Sequence, residues 1–287
     1  IRWIPGRGEH HGCALAADAP RRGTVIRAPD AAHITFVGHA TVLLELDGVR
    51  VLTDPLLRER IGPLRRHGHH LSADDLGSID LVVVSHAHLD HFDPASLRRL
   101  HGSPTVVVPR GAAARLHAQG FKDVHEVVAG DRLTVHGMPI LVVRARHGGV
   151  LTPFIPRSRP VGYLLEGSVR TYFAGDTDLF PQMSALTGRV DLALLPVSVW
   201  GPVMGPGHLD PRRAARAAAL IQPGIAIPIH WATYYPAGLD RITRQRFLDP
   251  GPAFARHLAR LAPATEARVL RPGEVTNIAL PVQAASV

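Results

Sequence analysis

The sequence predicts an α/β fold, a four-layer αββα sandwich in which two mixed β-sheets pack together under outer helices. Two observations carry this. Short runs of Val, Ile and Leu recur at close intervals with turn residues between them, and the early runs are joined by tight hairpins such as "LDGVR" at 46–50, which excludes a simple βαβ repeat. The later runs alternate instead with helix-forming stretches, so the chain mixes hairpin and crossover connections.

The strands are expected at 33–38, 41–46, 49–54, 80–85, 104–109, 138–145, 161–167, 170–175, 191–197 and 225–230, with a second tight turn in "LEGSVR" at 165–170. Helices are expected at 94–101, 111–119, 181–187, 211–221 and 251–261. The fourth has the clearest start, Asp210 as N-cap followed by Pro211 at the first helical position. Residues 1–32, rich in Gly, Pro and Arg, read as an irregular N-terminal arm, residues 33–287 as a single domain, and residues 56–78 as a long loop.

The chain of 287 residues is 46% apolar, enough for a buried core. The most apolar window, "AAALIQPGIAIPIHW" at 217–231, is broken by Gln222, Pro223, Pro228 and His230, short of the roughly 18 uninterrupted apolar residues of a membrane span. With no apolar leader-like stretch in "IRWIPGRGEHHG", the default location is cytoplasmic. Cys13 is the sole cysteine, which excludes an intrachain disulfide and a thiolate zinc cage, so a metal site must use His and carboxylates. The net charge of +8 comes from scattered Arg residues with Lys122 as the lone Lys, a pattern of biased composition that disfavours a nucleic-acid face.

The chemistry gathers in "VVVSHAHLDHFDP", residues 82–94. Beyond a buried strand ending at Ser85, alternation puts His86 and His88 on one side, where their imidazoles can converge on one ion. Asp90 and His91, a turn later, face a neighbouring second ion, and "FDP" starts a helix that fixes the loop's far end. Two ions need more donors than a hexapeptide supplies. His147, Asp176 and His230 each stand just past a predicted strand, where functional side chains of α/β proteins collect.

H-x-H-x-D-H, a distant His, the Asp of "AGDT" and a final His together resemble the metallo-β-lactamase fold of metal-dependent hydrolases. "GHATVLLELDGVRVLTDP", "SHAHLDHFD", "FAGDT", "GHLDP" and "IHWAT" are most similar to the branch of the ascorbate-6-phosphate lactonase and N-acyl-phosphatidylethanolamine phospholipase D type enzymes. The resemblance, from residue 33 onward, implies one metal on His86, His88 and His147, a second on Asp90, His91 and His230, and Asp176 bridging them. It implies two divalent ions, Zn²⁺ by donor type, with Mn²⁺ or Fe²⁺ also compatible. Asp54 of "LTDP" is similar to an Asp that supports the ligands rather than binding metal. His208 of "GPGHLDP" falls where the family has a residue near the active site, and is expected to contact substrate or protonate the leaving group. Arg212 and Arg213 stand where Glu is common in the family; near a helix start they favour a phosphate- or carboxylate-bearing substrate.

The implied reaction is hydrolysis of a phosphoester, phosphodiester, ester or lactone, on a small molecule or lipid, by a metal-bridging hydroxide, with Asp90 accepting the nucleophile's proton. A nuclease of the same fold is the alternative enzyme, disfavoured by the lack of a clustered basic face, and a metal-stabilised binding protein or a di-iron redox protein are alternatives of other classes. Seven ligands across two ions leave open coordination, which favours catalysis over a closed structural site. A homo-oligomer is compatible with the sequence. His39 of "GHAT" reads equally as a packing or a functional residue, His67, His69 and His70 as a loop cluster, and Trp200, Trp231, Tyr234 and Tyr235 as either pocket or core.

Overall fold

A computed structural model describes residues 2–3, 31–148, 158–198, 207–239 and 244–279. Most of the expected arm, Cys13, Trp200 and most of the Gly-rich 201–207 stretch lie outside them. An eight-stranded sheet has the order Arg2–Trp3, Arg132–Val135, Met138–Arg144, Val161–Glu166, Arg170–Phe173, Leu192–Pro196, Ile225–Ile229, Glu266–Ala267. A seven-stranded sheet has the order Val275–Ala279, Ala31–Gly38, Thr41–Leu46, Val49–Thr53, Leu81–Val83, Thr105–Pro109, Val124–Val127. Each is antiparallel at its hairpin end and parallel beyond, the mixture the connection lengths predict.

Period-two alternation sorts the strand side chains. Val42, Leu44 and Leu46, with Leu81 and Val83, join the main core that also takes Ile140, Val142, Tyr163 and Phe173 from the other sheet. Leu43, Val82 and Val84 instead join a second cluster with Leu97, Ala113 and Leu116 of the helices Pro94–Leu97 and Ala113–His117. Helices Pro211–Ile221 and Pro250–Leu261 cover the eight-stranded sheet, the first burying Ala214, Ala215, Ala217, Ala218 and Ile221. Asp210 caps it, its carboxylate accepting from Arg213 N at 2.7 Å. Burying one Leu, Ile or Phe is worth about 1.5–3 kcal/mol, so this core can carry the cost of the charged groups buried at the sheet ends.

Several local readings differ: the strands Val124–Val127, Arg132–Val135, Glu266–Ala267 and Val275–Ala279 lie outside the expected set, and the helices expected at 94–101 and 111–119 shorten to Pro94–Leu97 and Ala113–His117. The 56–78 loop carries two short strands, Arg60–Ile61 and Leu64–Arg66, the latter paired to Tyr234–Pro236, and a helical turn Ala73–Leu76 closed by a Ser72–Asp75 capping box. The strand Leu64–Arg66 is held by tertiary pairing, Arg60–Ile61 by its hairpin partner and the turn by its cap, none of which shows as periodicity. Arg2–Trp3 of the expected arm adds an edge strand against Arg132–Val135, and residues 181–186 wind as a 3₁₀ rather than an α-helix. Among the described residues no helix is long and apolar enough to cross a membrane.

Candidate metal centre

The predicted ligands meet at one end of the sandwich. Strands Ala31–Gly38, Val49–Thr53 and Leu81–Val83 run in one direction in one sheet, as do Met138–Arg144, Arg170–Phe173 and Ile225–Ile229 in the other. His39, Asp54, His86, His147, Asp176 and His230 follow the C-terminal ends of these six strands. The hexapeptide is folded by its own backbone, His91 N and Phe92 N both donating to His88 O at 3.0 and 2.8 Å, and Asp93 caps the following helix by accepting from Ser96 N.

Two donor sets form. His86 Nε2 lies 3.0 Å and His147 Nε2 3.2 Å from His88 Nδ1, and the three residues make one group of converging ligand atoms. Asp90, His91 and His230 make a second, which also takes in His39. Asp176 lies between: it groups with His147 and His208, while its Oδ2 is 3.5 Å from His91 Nε2 and its Oδ1 3.5 Å from His230 Nε2. Donors about 2.0–2.1 Å from a tetrahedral cation stand about 3.3 Å apart, so these separations match the edges of coordination polyhedra.

The surrounding hydrogen bonds select the tautomers. Asp54 Oδ2 accepts from His91 Nδ1 at 2.7 Å and from Ser85 Oγ at 2.6 Å, and Ser85 Oγ, its proton thus committed, accepts from His86 Nδ1 at 3.0 Å. Gly207 O accepts from His147 Nδ1 at 2.8 Å. In the neutral form that binds a cation, His86, His91 and His147 therefore have Nε2 lone pairs aimed inward. The buried His91 Nε2, His230 Nε2 and Asp176 Oδ1 make no hydrogen bond, a cost of about 1–3 kcal/mol each that a shared cation removes. The residues thus fit a metal.

Electrostatics agree. Burial pushes Asp90 and Asp176 up, but the surrounding imidazoles more than reverse it and hold both well below the usual carboxylate range. Burial would lower His91, yet the carboxylates of Asp176 and Asp90 hold it well above an ordinary histidine, a demand for positive charge at that spot. Burial keeps His86 well below its ordinary value and sets His147 at about 4, so both are neutral and ready to coordinate near pH 7. Burial raises Asp54, against the lowering effect of the His91 and Ser85 hydrogen bonds.

His208 reaches the centre's edge, its Nε2 3.5 Å from Asp176 Oδ2 and its ring 4.6 Å from that of His147. Arg213 pairs with Asp178 and donates to His208 O at 3.4 Å, while Arg212 is exposed. The loop histidines do not form a ligand group among the described residues: His67 faces Phe247, His70 pairs with Glu59 and His69 packs on Gly273. Trp231 is core, bonded to Pro228 O and packed against Gly251, whereas the Tyr234 ring stands nearly perpendicular to that of His39, 5.6 Å between centroids. Ser85 joins this hydrogen-bond network without having been singled out in the sequence; it directly precedes His86, but its bonds exist only once Asp54 is placed opposite.

The chain matches the Beta-lactamase superfamily domain over residues 49–231. It is 33% identical to a UPF0173 metal-dependent hydrolase of Methanopyrus kandleri, covering 84% of this chain and 97% of that protein. It is 31% identical to the N-acyl-phosphatidylethanolamine-hydrolyzing phospholipase D 1 of Caenorhabditis elegans over 75% of this chain and 67% of the relative. It spans only 66% of the length of uncharacterized mycobacterial proteins to which it is 32% identical. A metallo hydrolase from Ignicoccus hospitalis shares the fold with a TM-score of 0.65 at 23% identity, covering 86% of this chain and 98% of that one. The αββα sandwich, the His/Asp cluster and these relatives agree: the chain belongs to the β-lactamase superfamily of metal-dependent hydrolases.

Proposed function

We propose that the protein is a dinuclear hydrolase of phosphoesters, phosphodiesters or lactone-type esters, with His86, His88 and His147 holding one cation, Asp90, His91 and His230 the other, and Asp176 shared. The observation that carries the reading is the place of Asp176, within ligand distance of both donor sets. The mixed imidazole and carboxylate donors favour Zn²⁺. A bound pair of divalent cations supplies Lewis acidity and water acidified toward neutral pH.

The chain's own groups do the rest. Asp90 is kept ionised by its imidazole neighbours and serves as acceptor for the nucleophile's proton. His208, 23% exposed in its side chain with its Nε2 3.5 Å from Asp176 Oδ2, donates a proton to the leaving oxygen. Arg212, exposed in the first turn of Pro211–Ile221, offers a cation for an anionic substrate group. Leu89 is 50% exposed between His88 and Asp90 and gives apolar surface for an acyl or alkyl portion. The N-acyl-phosphatidylethanolamine hydrolysis for which the nematode relative is named supports a phospholipid-type diester as the first substrate to try.

The test is metal analysis of the purified chain together with turnover of bis(p-nitrophenyl) phosphate, simple lactones and N-acyl-phosphatidylethanolamine vesicles. Two ions per chain and turnover of at least one ester, both reduced in Asp176→Ala, are expected. Equal metal in wild type and variant with no turnover by either overturns the proposal.

A further inference from the structure

His39 is tied to two ligands of the Asp90 set at once. Its ring Nε2 lies 3.1 Å from Asp90 Oδ2, and its carbonyl accepts from His230 N at 2.7 Å. Its own N–H donates to Thr233 Oγ1 at 2.7 Å, and its ring lies 3.9 Å from that of His230. The side chain is buried, with 3% of the residue exposed.

The backbone that places it is unusual. The strand Ala31–Gly38 shifts register between Phe36 and Gly38, then turns through Gly38 at φ 129° and His39 at φ 58°. A Cβ on Gly38 would meet Thr233 Cγ2 at 2.8 Å and Arg66 Nη1 at 3.0 Å. Arg66, itself buried, braces the turn by donating to Val37 O at 3.2 Å and Leu56 O at 2.6 Å. A left-handed residue other than Gly is kept where the surroundings over-determine it, and here two of the bonds His39 makes, from its ring and from its carbonyl, reach the Asp90 set.

We propose that His39 is a positioning residue for that set: it donates Nε2–H to Asp90 Oδ2, the oxygen that also faces His91 Nε2 at 3.5 Å and His230 Nε2 at 3.9 Å, and so orients that carboxylate toward the cation, and it anchors the backbone of His230. This rests on the two-cation reading above. Direct coordination by His39 is disfavoured by counting: Asp90, His91, His230 and Asp176 already offer four donors, and a fifth would close the position that substrate needs.

His39→Asn and His39→Gln separate the possibilities. Asn tolerates left-handed backbone but is too short to reach Asp90; Gln places an amide N–H near the Nε2 position. The variants and wild type, loaded with Zn²⁺, are titrated with a chelator while zinc per chain and the melting temperature of the metal-free form are measured. Expected is loss of one ion from His39→Asn at an affinity about 10- to 100-fold weaker than wild type, with the second ion unchanged and His39→Gln near wild type. Two ions held as tightly in His39→Asn as in wild type overturns the inference, and so does parallel weakening of both. A Gln variant as weak as Asn makes His39 a ligand and overturns it too. If wild type itself holds one ion, the two-cation reading fails, and an unchanged affinity of that ion in His39→Asn then also overturns the role of His39. A lowered metal-free melting temperature shared by Asn and Gln, with equal zinc retention, assigns His39 to folding alone.

Discussion

The Asp54 carboxylate meets the His91 ring at 2.7 Å in a pocket where neither side chain is exposed. The same oxygen holds Ser85, and through it His86, so one carboxylate aims an imidazole in each donor set. Asp54→Asn keeps the shape and removes the charge that stabilises those Nδ1 donors. Zinc affinity is expected to fall about 10- to 100-fold while the far-UV circular dichroism stays that of wild type. A variant with wild-type zinc affinity removes this role from Asp54.

Gly175 guards the same bridge. Its φ is +57°, and a Cβ there would lie 2.3 Å from Ser85 Cβ and 2.7 Å from Ser85 Oγ. Gly175→Ala therefore combines left-handed strain with overpacking and is expected to cost on the order of 2–4 kcal/mol in denaturant unfolding. Ser85→Gly makes room, so the double variant should recover part of the loss; no recovery would locate the cost in backbone strain alone.

The legible parts of the molecule are those whose signal is local. Ten strands and the helix Pro211–Ile221 follow from alternation, turn residues and a capped start, and His86, His88, Asp90 and His91 stand together in one loop whose ends a strand and a helix fix. Asp54 was legible only as a resemblance, because its partners Ser85 and His91 are 31 and 37 residues away. His39 was ambiguous for the same reason: "GHAT" shows a turn, but the reason for the turn is Thr233 and His230, some 190 residues on. The strands of the 56–78 loop were hidden because Leu64–Arg66 pairs with the distant Tyr234–Pro236, Arg60–Ile61 pairs in turn with Leu64–Arg66, and nothing in their own composition alternates.

His147 gives the metal-free protein a specific acid response. Burial sets it at about 4, below the ordinary value of 6.5. The unfolded chain therefore takes up this proton first, so the folded-state advantage is whole above pH 6.5, declines as pH falls toward 4, and is flat below. Metal-free wild type should lose on the order of 1–3 kcal/mol more than metal-free His147→Asn across that window, read from melting temperatures in matched buffers. Parallel curves for the two would mean that His147 is charged in the folded metal-free chain.

Arg213 separates two roles for the basic pair at the start of Pro211–Ile221. As a substrate contact it would act on an anionic group directly. Its guanidinium, however, is bound to Asp178 and to His208 O, and the neighbouring Gly207 O holds His147 Nδ1, so the side chain staples the loop that carries His208 against the loop that carries Asp176. Misplacing a reacting group by about 1 Å costs roughly 100-fold, so Arg213→Ala should lower kcat by about 10- to 100-fold on the best substrate of the ester screen, with a small change in KM. Arg213→Lys, which keeps charge but not the fork, should fall between. In the double variant with His208→Gln, the Arg213 effect should vanish, because a displaced His208 and a missing one fail alike. Effects that simply multiply would return Arg213 to the substrate, and Arg212→Ala, which breaks no such staple among the described residues, would then be the variant that shares its KM.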